Sequence, residues 1–207
     1  MKIALVSVGG LFYDIWEEFE RQGNEVIGYI DTEEKLDVSL PYLGNDSVEL
    51  DQEVFKFVCV GGIGTGIDLR RRLVEKHNRK LTNLIFGSAN ISRYAKIAVD
   101  ANVLVYSGSI IRSWVVLDPN TFVNSLCNLG HHAHVGFGSQ ISNGVLIGGH
   151  TVIGRNCFIG QGANIFQQVE IGDNCIIGAN ALITKDVPDN SFVIGKDDVR
   201  KRRNLHD

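Results

Sequence analysis

The chain has 207 residues, 44% of them hydrophobic and 21% charged, a length and balance that suit one large or two small globular domains. A net charge of −4 leaves no basic footprint for nucleic acid or for an anionic membrane. The apolar run Ile3 to Val8 is too short for a signal peptide, and nothing reaches the roughly 20 apolar residues of a membrane span, so a cytoplasmic protein with no membrane or nucleic-acid partner is expected.

Lys2 to Val8 reads as a buried strand. Gly9 and Gly10 follow it, then an amphipathic helix with Phe12, Ile15, Trp16 and Phe19 at helical spacing, ended by Gly23 and Asn24. Glu25 to Ile30 is a second apolar strand that stops at Asp31. A third strand, Val54 to Val60, leads through Gly61, Gly62, Gly64 and Gly66 into a helix that runs to Lys76 with Leu69 and Leu73 on one face. A short strand near Asn83 to Phe86 is expected to complete a small parallel sheet. Residues 1–90 are thus predicted to form an α/β, Rossmann-like domain.

Strand–glycine–helix junctions put bare backbone N–H groups at a helix N-terminus, which suits a phosphate. Gly9 and Gly10 are therefore candidates for a diphosphate, and Asp31 for a ribose or base contact. The full G-x-G-x-x-G pattern is absent, which argues against NAD and leaves a tight turn as the alternative use of these glycines.

Residues 91–207 are organised differently. Stepping by six from Val99 through Val105, Ile111 and Leu117 to Ile177 and Ile183 lands on an aliphatic residue every time, and the position two before it is always small or β-branched. A six-residue period fits neither a helix nor an ordinary strand but is the signature of a parallel β-helix. Three hexads close one coil, residues 18 apart stack, and the run predicts about five coils, a prism roughly 24 Å tall. Gly recurs just after the aliphatic, at Gly130, Gly136, Gly148, Gly154, Gly160, Gly172 and Gly178, where it is expected to supply turn conformations that other residues resist. Cys127, Cys157 and Cys175 fall on the small-residue column and Cys59 in an apolar run, so all four read as buried, unpaired thiols. The basic cluster Arg200, Lys201, Arg202 and Arg203 reads as a solvated tail, with phosphate contact as its alternative.

One turn of the prism reads Gly130, His131, His132, Ala133, His134. With Leu129 pointing inward, His131 and His132 fall on the next corner, outside the core, where an imidazole is the natural proton acceptor near neutral pH. His150 lies 18 residues after His132 and is positioned to stack beside it. His131 and His134 could approach one metal ion, but no carboxylate or thiolate stands at a helpful spacing, and no metal is expected. Surface histidines without a role are the plain alternative.

The repeat, the opening strand with Gly9–Gly10, the join Asn83-Leu84-Ile85 with Ser88-Ala89, the histidine after Leu129-Gly130, and the exit Thr184-Lys185-Asp186-Val187-Pro188-Asp189-Asn190-Ser191 together resemble the hexapeptide-repeat acyltransferases. The likeness is to their two-domain NeuD/PglD-like branch, which acetylates nucleotide-linked amino sugars or sialic acid. That resemblance implies a left-handed parallel β-helix, acetyl-CoA as cosubstrate along a groove between prisms of a homotrimer, and a nucleotide-linked amino sugar held by the N-terminal domain. It implies His131 as the base, and Gln140, Ser142, Gly149 and Gly160 near the pantetheine. His132 stands where the family usually has an acidic residue, Gln140 where it has a second histidine, and Gly195-Lys196-Asp197-Asp198 replaces its Gly-x-Pro-Ala. The leading expectation is N-acetyl transfer to a nucleotide-linked amino-deoxy sugar; the alternatives are a sugar O-acetyltransferase and a trimeric scaffold that binds sugar nucleotides without catalysis.

Overall fold

The computed structural model describes residues 1–201. The first strand, β1 (Lys2–Val6), ends where Ser7 turns into the left-handed region at φ 70°. It is followed by α1 (Phe12–Arg21), β2 (Glu25–Ile30), β3 (Tyr42–Gly44), β4 (Val54–Val58) and α2 (Thr65–Lys76). The four strands form a parallel sheet in the order β3-β2-β1-β4. The β3 edge strand gives no sequence signal, because its three residues are all only half-buried and lack an apolar alternation.

The sheet has two apolar faces. Ile3, Leu5, Phe57 and Cys59 face α1 through Phe12, Ile15 and Phe19, and this cluster continues into Leu84, Leu104 and Phe122 of the prism. Val6, Ile30, Val58 and Val60 face Leu73 and Val74 of α2. Leu69, expected beside Leu73, is instead 38% exposed, and the inward face of α2 carries Ile67, Arg70, Leu73 and Val74. The spacing of three and four residues fits this stripe once an arginine is admitted to it.

The short strand β5 (Leu84–Ile85) does not join the small sheet as expected. It pairs with Leu104–Val105 and opens the prism's first face. On that face the strands Phe122–Val123, Gln140–Ile141, Phe158–Ile159, Ile176–Ile177 and Ser191–Ile194 follow in order. One coil corresponds to each of the six strands before Ser191, and Val187 closes the last by a bridge to Ile171. Six coils rather than about five make the prism about 29 Å tall at 4.8 Å per coil. The extra coil escaped the period because Ile85, Ile91 and Ile97 are its inward residues while the next coil starts at Val105, a step of eight. Val99, taken as the column's start, is 81% exposed in the resulting turn.

From Val105 to Ile183 the aliphatic column and the small column fill one continuous core, Cys127, Cys157 and Cys175 among them, and all four cysteines are free and buried. The glycines after the aliphatic do not occupy left-handed turns. They are small because the next coil passes too close: a Cβ on Gly148 would lie 2.3 Å from the Gln167 nitrogen, and one on Gly130 2.5 Å from the Gly149 nitrogen. The left-handed residue falls two positions later, at Trp114, Asn120, Leu126, His132, Gly138, Gly144, His150, Asn156 and onward in steps of six. Gly and Asn tolerate that region best and His is enriched in it, which explains most of the column but not Trp114, Leu126 or Gln168.

The exit motif finishes the last coil with its carboxylates. Asp186 accepts from the Glu170 N–H at 2.8 Å and Asp189 from the Asp173 N–H at 2.8 Å. Beyond it, Ser191–Ile194 pairs antiparallel with Asp198–Lys201. Arg202 and Arg203 of the basic tail lie outside the described residues. No described helix is long and apolar enough to cross a membrane.

Glu18 ties α1 to the entry of the prism. It is 2% exposed and accepts from the Gly87 N–H at 3.0 Å and Gln22 Nε2 at 2.9 Å, with Arg21 paired to its other oxygen. Burial pushes its pKa up, but the hydrogen bonds from Gln22, Gly87 and Arg21 outweigh burial and hold it below the ordinary value. A depressed carboxylate pKa adds stability above the unfolded value of about 4.3 that is lost as pH falls through the folded value. Glu18→Gln is therefore expected to cost about 1–3 kcal/mol near neutral pH and to flatten the loss of stability on acidification. Urea midpoints at neutral pH and near pH 4 measure both; an unchanged acid slope in the variant contradicts the assignment.

Candidate active site

The histidine turn sits at the corner between the second face, which carries Asn128–Leu129, and the third, which carries His134–Val135. Inward packing of Leu129 and Ala133 fixes the backbone, leaving His131 and His132 exposed as the spacing required. His131 Nδ1 lies 3.1 Å from His132 Nδ1. His132 stacks on His150 at 4.6 Å with the rings 10° apart, and His131 stands edge-on to both. The same column continues the other way through Trp114 to Tyr94, so a ladder of rings lines this edge of the prism.

His131 is seated on Gly149. A Cβ there would lie 2.9 Å from His131 Nε2 and 3.0 Å from Cε1, so only glycine lets the imidazole lie against the coil above. On its other side His131 borders a groove of about 350 Å³ lined by Ser92, Ile110, Arg112 and Ser113. Burial and the neighbouring His150 and His131 push the His132 pKa down, which favours its neutral form. A neutral His132 can accept a hydrogen bond at Nδ1 from His131 Nδ1–H, and in that tautomer His131 Nε2 carries the free lone pair. His132 thus orients its neighbour as a carboxylate would, without the carboxylate's charge. His134 is not part of the cluster; its Nε2 pairs with Asp118 Oδ1 at 3.0 Å on the third face.

The other sequence candidates divide between two places. Ser142 and Gly160 line a groove of about 390 Å³ together with Ile63, Phe158, Ile176 and Phe192, at the corner of the first face. Gln140 is buried beside it: its Oε1 accepts from the Gly62 N–H at 3.0 Å and from Arg70 Nη1 at 3.0 Å. Within one protomer neither Gln140 nor this groove adjoins His131, since they belong to different faces.

Arg70 is the residue that reading the sequence missed. It is fully buried, donates to Gly138 O at 2.7 Å and Val60 O at 3.3 Å, and lies over the Phe122 ring at 4.0 Å. Burial pushes its pKa down, and carbonyls, an amide and a ring take the place of a counterion. Through Gln140 it holds the loop at Gly61–Gly64 against the groove. An arginine spaced three from Ile67 and Leu73 was the available signal.

In the N-terminal domain Gly9 and Gly10 are exposed, α1 begins without a side-chain cap, and its first N–H, that of Phe12, donates to the Gly9 carbonyl at 3.0 Å. Asp31 reaches over this junction, accepting from the Val8 N–H at 2.7 Å and the Thr32 N–H at 2.6 Å. Its carboxylate thereby fixes the tip of β1 to the tip of β2.

The structure thus sets an exposed histidine corner on a six-residue-period parallel β-helix that packs against an α/β layer. The profile described as Bacterial transferase hexapeptide (six repeats) matches residues 132–167 and 150–185, so this stretch of the prism is similar to the hexapeptide-repeat transferases. No curated protein matches at a significant level. Among solved structures, the acetyltransferase domain of PglB from Neisseria gonorrhoeae, in complex with acetyl coenzyme A, is similar over 97% of this chain and 98% of its own, with 25% identity and a TM-score of 0.69. The same domain described without acetyl coenzyme A gives a TM-score of 0.74 at 24% identity. A histidine-to-alanine variant of GDP-perosamine N-acetyl transferase from Caulobacter crescentus, in complex with CoA and GDP-perosamine, is 23% identical over 97% and 96% of the two chains, with a TM-score of 0.62.

Proposed function

We propose that this protein is an acetyl-CoA-dependent N-acetyltransferase that acetylates the amino group of a nucleotide-linked amino-deoxy sugar, a 4-amino-4,6-dideoxy sugar being the acceptor class. The observation that carries the reading is His131: an exposed imidazole seated on Gly149 and oriented by His132, in a chain that matches an acetyl-CoA-bound acetyltransferase domain over 97% of its length.

His131 Nε2 accepts a proton from the acceptor amine as the nitrogen attacks the thioester carbonyl carbon. The carbonyl oxygen becomes an oxyanion that needs a preorganised donor, which a backbone N–H of a neighbouring coil supplies. Collapse forms the amide, breaks the carbon–sulfur bond, and releases the CoA thiolate, to which His131 returns the proton. Gln140, Ser142 and Gly160 serve the pantetheine in this scheme, and Gly9, Gly10 and Asp31 the nucleotide.

The split between the His131 corner and the Ser142 groove supports a homotrimer. Packed side by side, one prism can set its histidine corner against the groove of the next, so that each site draws on two subunits. Ala179 is exposed and lines the same groove, so mixing a His131→Ala protein with a groove-blocked Ala179→Trp protein is then expected to restore part of the activity that each lacks alone; two inactive proteins that stay inactive when co-assembled count against the shared site.

The direct test is acetyl transfer from acetyl-CoA to 4-amino-4,6-dideoxy sugars carried on UDP, dTDP and GDP, read by thiol release and by the acetylated product. Amide product is expected with one nucleotide preferred. Turnover only on sugar hydroxyls favours the O-acetyltransferase reading, and binding that raises Tm without turnover favours the scaffold.

A further inference from the structure

We infer that His131, His132 and His150 form a binding site for a divalent transition-metal ion of the Zn²⁺ class, and that the ion, when bound, blocks the site rather than serving it. One nitrogen from each of the three residues lies within 4.8 Å of the others. The two Nδ1 atoms of His131 and His132 are already at 3.1 Å. Around a tetrahedral zinc ion at 2.0–2.1 Å the nitrogens stand about 3.3 Å apart, so pairs now as much as 4.8 Å apart must draw in by up to about 1.5 Å.

The fold makes that adjustment easy and the approach unavoidable. His132 and His150 occupy the same left-handed corner position in successive coils, at φ 61° and 58°, so the ladder register fixes their separation. Their stacked rings must tilt toward each other for the in-plane lone pairs to converge, and because all three side chains are solvent-exposed the tilt gives up ring stacking, that of His132 on Trp114 included, and no buried packing. Three imidazoles without a carboxylate or thiolate select zinc, copper or nickel over magnesium or calcium. Among the described residues this is the only such trio, because His134 is paired with Asp118 and His77 with Asp46.

The inhibitory consequence rests on the proposed role of His131: a neutral imidazole that gives one nitrogen's lone pair to a metal carries its proton on the other, so neither nitrogen can accept a proton from the acceptor amine. The metal site itself does not depend on that role, and the two are separable by experiment.

Untagged protein stripped with chelator is titrated with Zn²⁺, and with Co²⁺ for its d–d absorption. One equivalent per chain with micromolar affinity and the spectrum of a nitrogen-coordinated ion is expected. His150→Ala should weaken binding at least about 100-fold, whereas His134→Ala should leave it unchanged. Millimolar or weaker affinity in the wild type, or undiminished binding by His150→Ala, overturns the site. In the transfer assay Zn²⁺ should inhibit the wild type and spare His150→Ala at the same free concentration. Stoichiometric binding without inhibition of an active enzyme overturns the inhibitory half of the proposal, and absence of any turnover in metal-free wild type defeats the functional reading while leaving the titration to decide the site.

Discussion

Replacing His131 by alanine is expected to lower kcat by about 10²–10⁴-fold, the usual contribution of a positioned general base. The KM values for acetyl-CoA and the sugar nucleotide should change little, because the imidazole is asked to act on the proton in flight and not to hold either substrate. Stability should also change little: the side chain is exposed and truncation leaves no buried group unpaired. Gly149→Ala offers the complementary result. It leaves the imidazole in place chemically but pushes it off its seat, since the new Cβ would lie 2.9 Å from Nε2. Activity in the His131→Ala variant within threefold of wild type, at unchanged Tm, would remove His131 from the mechanism.

Gly148→Ala should be the most damaging single methyl group in the prism. The added carbon would stand 2.3 Å from the Gln167 nitrogen and 2.6 Å from its Cα, both backbone atoms of the next coil that cannot rotate away. Overpacking of that kind costs about 3 kcal/mol, a fall in Tm of roughly 6–12 °C for a chain of this size. Gly144→Asn is the informative comparison. Gly144 sits at φ 69°, a Cβ added there would have nothing within 4 Å, and Asn already occupies the equivalent corners at Asn120, Asn156 and Asn180. It should change stability by less than about 0.5 kcal/mol. Equal damage from the two substitutions would mean that these glycines are there for backbone freedom and not for coil-to-coil distance.

The same pair of glycines shows where sequence reading succeeded and where it misassigned a cause. The hexad period located the prism, the inward columns and the outward corner with His131 and His132, because each depends only on counting along a rigid repeat. It also carried His150 to its stacking position. What counting cannot see is the distance between coils, and so the glycines after each aliphatic were credited to unusual torsions that belong two residues further on. Phase errors hid the first coil: the eight-residue step from Ile97 to Val105 breaks the rule that finds the others. Arg70 was hidden by its chemistry, since a stripe search that admits only apolar residues passes over a guanidinium buried among carbonyls and a phenyl ring.

The antiparallel pair at the prism's C-terminal end bears on how copies of this chain can meet. A parallel coil ends in a row of unpaired N–H and C=O groups that is a template for the first coil of another molecule. Here Asp198–Lys201 runs against Ser191–Ile194 in the opposite direction, with all four of its residues exposed and Asp198, Arg200 and Lys201 carrying charge. A second prism arriving on this side meets a reversed, charged strand instead of a continuing parallel one. End-to-end growth into a fibre is blocked there, and association is steered to the flanks, where the histidine corner and the Ser142 groove lie.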